Sequence, residues 1–87
     1  MSDPVVQRLR KQIAEADHAI LEAINARLEL VRQLKRHKEE HEIGFVDPEQ
    51  EKRLLAVLET NNPGPLSREG LRRLWQEILA LTKREVD

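Results

Sequence analysis

Residues 5–41 read VVQRLRKQIAEADHAILEAINARLELVRQLKRHKEEH, and this stretch decides the fold. Set out in heptads from Val6, one core position carries Val6, Ile13, Ile20, Arg27 and Leu34. The next carries Leu9, Ala16, Ala23, Leu30 and His37. A flanking position adds Arg10, Asp17, Ile24, Val31 and Lys38, while Leu21 and Leu28 widen the apolar arc. Apolar residues recurring every three and four positions predict one long helix, with a stripe too regular for strands. Yet Arg10, Asp17, Arg27 and Lys38 stand on or beside that stripe. A buried cation is unfavourable unless an anion meets it, so the pattern asks for an anion.

Composition narrows the classes. At 87 residues the chain makes one domain, residues 1–87, with a small core for a lone chain. Charged residues supply 36 % and aromatics 2 %, which suits an all-helical protein and offers little to a sheet. There is no cysteine, hence no disulfide framework, thiolate metal site or cysteine nucleophile, and a reducing cytoplasm fits. The first residues form no apolar signal-peptide core, and no apolar run approaches the roughly 20 residues that span a bilayer. A cytoplasmic protein with no membrane association is expected. Net charge is −1, from 15 basic and 16 acidic residues, without the basic excess of a nucleic-acid binder. Arg32, Lys35, Arg36 and Lys38 are locally basic, but Glu39, Glu40 and Glu42 follow at once. A solvated face with intrahelical pairs is expected there.

Asp3-Pro4 is a helix start: the carboxylate caps free N–H groups and proline suits the first turn. The first helix is expected over about residues 4–41, ending before Gly44 as the left-handed cap. About 36 residues of helix are roughly 54 Å long. A compact domain of this size has a radius of gyration of about 12 Å and a diameter of about 30 Å. One chain cannot cover such a helix, and the mismatch predicts an intertwined homodimer. Apolar Phe45 and Val46 lead into Asp47-Pro48-Glu49-Gln50, where Asp47 caps, Pro48 opens the turn and Gln50 reaches back as in a capping box. That second helix, about 48–61, carries Leu54, Leu55, Val57 and Leu58 and stops at the turn Asn61-Asn62-Pro63-Gly64-Pro65. Ser67 caps a third helix, about 67–85, in which Leu71, Leu74, Trp75, Ile78, Leu79 and Thr82 recur at helical spacing. The expected fold is all-α: one long helix and two shorter ones per chain, forming an intertwined homodimer.

Arg27 and Lys38 lie close to three helical turns apart, on one side and about 16 Å apart along the axis. Long side chains at that spacing converge on a small dianion. Arg10 is about 42 Å from Lys38 and cannot serve the same ligand within one straight helix. In an antiparallel helix pair, Arg10 of a second chain comes beside Arg27 and Lys38, giving two equivalent sites per dimer. Asp47, Gln50 and Glu51 gather at the start of the second helix, where free N–H groups and the helix dipole favour an oxygenated ligand. The same residues read equally as helix caps, and the cations as interface salt bridges with Asp17 or Glu51 that fix register. His37 and His41 read as a surface pair rather than a metal site, His18 as structural, and Trp75 as a core anchor.

These residues resemble the all-helical chorismate mutase family over nearly the whole chain. The likeness runs through Leu9-Arg10-x-x-Ile13-x-x-x-Asp17, Ile20-Leu21, Ile24-x-x-Arg27, Val31 and Lys38. It continues in Asp47-Pro48-x-x-Glu51, Leu54-Leu55, Asn62-Pro63-Gly64-Pro65 and Leu74-Trp75-x-x-Ile78. The Asp-Pro opening and the Asn-Pro-Gly-Pro turn look most like the mutase domains fused to the first enzyme of the aromatic pathway in some bacteria. A fusion or a pathway-enzyme partner therefore belongs to the expectation.

The resemblance implies an isomerase that converts chorismate to prephenate in phenylalanine and tyrosine biosynthesis, with no metal, cofactor or covalent nucleophile. Such a protein holds a flexible dicarboxylate in its reactive conformer and stabilises charge growing on the breaking ether oxygen. By the same resemblance, Arg10 of the partner and Arg27 grip the two carboxylates. Lys38 hydrogen-bonds the ether oxygen and a carboxylate, and Glu51 with the Asp47 N–H holds the ring hydroxyl. Thr82 stands where the family usually has serine and keeps the hydroxyl.

Two positions depart from the family pattern. Gln50 replaces a common arginine and removes a cation, and Val86 replaces a glutamine or glutamate that donates to the ether oxygen. Glu85, one residue earlier, substitutes for that donor only when protonated and when the last turn shifts. Two other readings compete: an isochorismate–pyruvate lyase of the same fold, and a non-catalytic helical dimerisation or regulatory module. Product analysis separates the first, and binding of a dicarboxylate analogue argues against the second.

Overall fold

The computed structural model describes residues 3–44 and 47–86, so Phe45 and Val46 lie outside the described residues. Three helices follow in order: α1 (Pro4–Glu40), α2 (Pro48–Asn61) and α3 (Arg68–Val86). Asp3 accepts hydrogen bonds from the N–H groups of Val5 and Val6 at 2.7 and 3.4 Å, satisfying two donors of the first turn. The Asp47 carboxylate accepts from the Gln50 N–H at 3.2 Å, and Ser67 Oγ from the Gly70 N–H at 3.0 Å. A side chain at Gly70 would meet that cap, since a Cβ there would lie 3.0 Å from Ser67 Oγ.

Two helix ends differ from the sequence expectation. The left-handed residue after α1 is Glu42, at φ 55°, and not Gly44. The Ile43 N–H reaches the Lys38 carbonyl at 2.7 Å and the Glu42 N–H reaches Glu39 at 3.2 Å, the paired closure of a Schellman turn. Satisfying these last carbonyls outweighs the steric penalty on a non-glycine residue. At the start of α2, Gln50 does not complete a capping box. Its side-chain oxygen instead accepts from Nε and Nη2 of Arg53, both at 3.3 Å, a charge-assisted pair that wins over the neutral backbone N–H.

Between α2 and α3 the turn is organised by Asn62. Its Oδ1 accepts from the Gly64 N–H at 3.0 Å and its Nδ2 donates to the Leu66 carbonyl at 2.9 Å. Gly64, at φ 78°, supplies the left-handed step that this Asx turn requires. Glu59 of α2 then clamps the two helices together by accepting from Arg72, and from Arg68 at 3.2 Å.

Helix α3 is the hub, packing against both α1 and α2. The half-buried face of α1 is Ile24, Arg27, Leu28, Val31, Lys35 and Lys38, which recur every three to four residues. Apart from Arg27 the heptad seam stays outside: Leu9, Ile13, Ile20, Leu30 and Leu34 are exposed. No described residue of α1 is fully buried. The chain measures 61 × 24 × 18 Å with a radius of gyration of 17.0 Å, against about 12 Å for a compact domain of this size.

Of the basic residues late in α1, Arg36 makes the expected exposed pair within the helix, with Glu29 at 3.9 Å, whereas Arg32 and Lys35 reach beyond a solvated face. Arg32 Nη2 donates to the Glu85 carbonyl at 3.4 Å and Lys35 Nζ to the Val86 carbonyl at 3.3 Å. They meet the unpaired carbonyls and negative dipole end of α3, a target that helical periodicity in α1 does not reveal. Among the described residues no helix is long and apolar enough to cross a membrane.

Candidate active site

Where α1, α2 and α3 converge they enclose an open cleft of about 140 Å³. Arg27, Val31, Leu34 and Lys38 line it from α1, and Asp47, Gln50, Glu51 and Leu54 from the start of α2. Leu79, Thr82 and Lys83 close it from α3. Val31, Leu54 and Leu79 of the lining are half-buried, as are Arg27, Lys38 and Glu51, while Leu34, Asp47, Gln50 and Lys83 face solvent. For the half-buried groups charge pairing is stronger than in bulk water.

Arg27 is aimed by α3. Its Nη1 donates to Thr82 Oγ1 at 2.7 Å, and the Thr82 hydroxyl donates in turn to the Ile78 carbonyl one turn earlier at 2.6 Å. Thr82 is 7 % exposed, so this is a dry anchor for a guanidinium. With the hydroxyl proton directed to the backbone, Thr82 acts here as an acceptor that orients Arg27. Asp47 spends its carboxylate on the α2 cap, and Gln50 spends its oxygen on Arg53. Glu51 Oε1 pairs with Lys83 Nζ at 3.3 Å.

The structure thus brings together Arg27, Lys38, Asp47, Gln50, Glu51 and Thr82, six of the residues singled out in the sequence. It does not bring Arg10 to them. That side chain lies on the exposed N-terminal part of α1, with no hydrogen bond or ion pair among the described residues. Glu85 and Val86 line a different, shallow depression with Arg32, Lys35 and Arg36. Val86 is buried, at 8 % exposed.

Lys83 is the cleft residue that sequence reasoning missed. The available signal was its place beside Thr82 and one turn after Leu79, two positions already assigned to the packed face of α3. The rings of His37 and His41 stack at 4.2 Å outside the cleft, with His41 Nδ1 2.8 Å from the His37 carbonyl.

A second concavity lies between α1 and α3. It is an apolar groove of about 360 Å³ lined by Ile20, Ile24, Leu28, Leu74, Trp75 and Ile78, among others. Trp75 is therefore half-buried at the wall of an open groove and not a sealed core residue. Its indole Nε1 is buried with no acceptor among the described residues.

The chain matches the family chorismate mutase type II over residues 9–86. Two solved structures of chorismate mutase from Thermus thermophilus are similar to it. The form II structure shares 33 % identity at a TM-score of 0.86, covering 91 % of this chain and 90 % of that one. The form I structure shares 34 % identity at a TM-score of 0.85, covering 88 % of this chain and 96 % of that one. No curated protein matches the chain by sequence. The family match spans nearly all of the three-helix architecture described above, cleft included, and the chain belongs to the chorismate mutase type II family.

Proposed function

We propose that the chain is a chorismate mutase that rearranges chorismate to prephenate in aromatic amino acid biosynthesis, working in the cytoplasm as an intertwined homodimer. One observation carries the reading. Arg27 and Lys38 of α1 share a single cleft with the N-terminal turn of α2 and with Thr82 of α3, in a chain of this family. The reaction is a one-substrate pericyclic step. What it asks of a protein is a fixed conformer and charge stabilisation at the breaking ether bond.

In this reading the Arg27 guanidinium, aimed by Thr82, grips a substrate carboxylate through donors that Thr82 leaves open. Lys38 donates to the ether oxygen and to a carboxylate. The Asp47 N–H and Glu51 hold the ring hydroxyl, and Gln50 adds a neutral hydrogen bond. Val86 offers no donor to the ether oxygen, so Lys38 carries most of that charge.

A second copy of the chain completes both the core and the site. The exposed heptad seam of α1 and the apolar groove beside Trp75 leave much apolar surface uncovered in one chain. Arg10 extends from the same uncovered helix, and an antiparallel copy carries it to the opposite cleft.

Incubating the purified protein with chorismate, following substrate loss by ultraviolet absorbance and identifying the product by NMR, tests the activity. Prephenate formed well above the uncatalysed rate is the expected result. A folded dimer without conversion refutes the reading.

A further inference from the structure

Charge balance in the cleft singles out a residue to which neither the family pattern nor the reading above gives a role. Arg27 and Lys38 face Asp47 and Glu51, so the lining without Lys83 is formally neutral. Arg10 of the second copy adds one positive charge in the proposed dimer, which still matches only half the charge of a dianion. Lys83 raises the single-chain balance to +1 and the dimer site to +2, equal and opposite to a dicarboxylate. Gln50 cannot do this, being uncharged and engaged with Arg53 through its oxygen.

The placement of Lys83 suits a ligand-binding role. Among the described residues its ammonium is held by Glu51 Oε1, at 3.3 Å. An ammonium has three donors, so two remain for a ligand, and Glu51 keeps Oε2 as an acceptor. Lys83 is half exposed, at 50 %, and Glu51 is 33 % exposed. The pair therefore stands at the mouth of the cleft, where a flexible lysine stem can follow an entering carboxylate. A bare surface ion pair at this spacing has little energetic value of its own.

We propose that Lys83 is a substrate-binding residue of this enzyme. Its ammonium, positioned by Glu51, receives one carboxylate of the dicarboxylate substrate and supplies the positive charge that Gln50 lacks. This assignment rests on the mutase reading. It is distinct from the roles of Arg27 and Lys38, because Lys83 enters from α3 and from the mouth of the cleft.

Steady-state kinetics with chorismate on the dimeric wild type, Lys83→Met, Lys83→Ala and Lys83→Arg test it. Methionine keeps the apolar stem and removes only the charge, which guards against a folding defect in the alanine variant. Lys83→Met and Lys83→Ala are expected to raise KM about tenfold while kcat stays within about threefold, as does the loss of binding made equally in the ground and transition states. Lys83→Arg is expected to recover most of the loss. The fall of kcat/KM with added salt should be shallower in Lys83→Met than in the wild type, since one attractive charge is gone.

An active wild type whose KM is unchanged in Lys83→Met overturns the assignment and leaves the mutase reading intact. A folded wild type with no turnover overturns the mutase reading, and the assignment with it.

Discussion

Arg27 Nη1 donates to Thr82 Oγ1 at 2.7 Å across the α1–α3 interface, and the Thr82 hydroxyl hands its own proton to the Ile78 carbonyl at 2.6 Å. The relay fixes the guanidinium by a charge-assisted bond whose acceptor cannot rotate away. Replacing Thr82 by Val keeps the shape and deletes the acceptor. A hydrogen bond to a charged group contributes about 1.5–3 kcal/mol, so kcat/KM should fall about tenfold to a hundredfold. Thr82→Ser should stay within about threefold of the wild type. Equal kinetics for Thr82→Val and the wild type would show that Arg27 needs no such anchor.

Lys38 and Arg10 are predicted to meet only across two chains. Lys38→Ala should reduce kcat by about a hundredfold or more while the helical dimer persists, as loss of a donor to developing charge does. Arg10→Ala should be similarly impaired. Mixing the two variants and allowing exchange should restore about a quarter of wild-type activity, because half the dimers then hold one intact site of two. Absence of recovery after exchange, verified by mass spectrometry of differently tagged chains, would rule out a shared site.

Glu59 joins α2 to α3, and its pH response is predictable in sign. The hydrogen bond from Arg72 is the main cause that holds its carboxyl below 4.5. The charges of Arg72 and Arg68 assist, while desolvation opposes them. Its folded value lies below its unfolded one, so the stabilisation is complete above about pH 4.5 and disappears as pH falls through the depressed value. In urea titrations, Glu59→Gln should be less stable than the wild type by a constant margin from pH 6 to 8. That margin should close in the acid range. A margin of the same size at pH 3 would exclude the linkage.

Glu42 bears a left-handed backbone at φ 55° in the Schellman turn that ends α1. Relieving that strain with glycine works against the extra unfolded-state entropy glycine brings. The net expectation for Glu42→Gly is a gain of about 0.5–1 kcal/mol, read as a higher urea midpoint at unchanged slope. Gly44→Ala, at a position with open space around it and no positive φ, should be neutral or slightly stabilising.

Some of this protein is local and therefore legible in the chain itself. The three helices follow from apolar periodicity, and their starts from Asp3, Asp47 and Ser67, whose side chains bond N–H groups two or three residues away. The turn at Asn62 is equally local. Arg27 and Lys38 drew attention because cations on an apolar stripe contradict the pattern around them. That contradiction exists in the sequence before any fold does.

Other features needed the tertiary structure, because they depend on how α3 is rotated and where α1 crosses it. Lys83 looks like any charged residue on the rim of an amphipathic helix until that rotation turns it toward Glu51. Arg32 and Lys35 look like a solvated basic run until the last carbonyls of α3 arrive beside them. The heptad seam, the strongest signal in the chain, is not the face that packs in one molecule. α3 takes the neighbouring stripe of Ile24, Leu28 and Val31, where Arg27 can reach Thr82, and leaves Leu9, Ile13 and Ile20 exposed. Periodicity determines that a helix has an apolar face. Which part of that face each neighbour covers is set by crossing geometry and side-chain fit, between residues more than fifty positions apart in the case of Arg27 and Thr82.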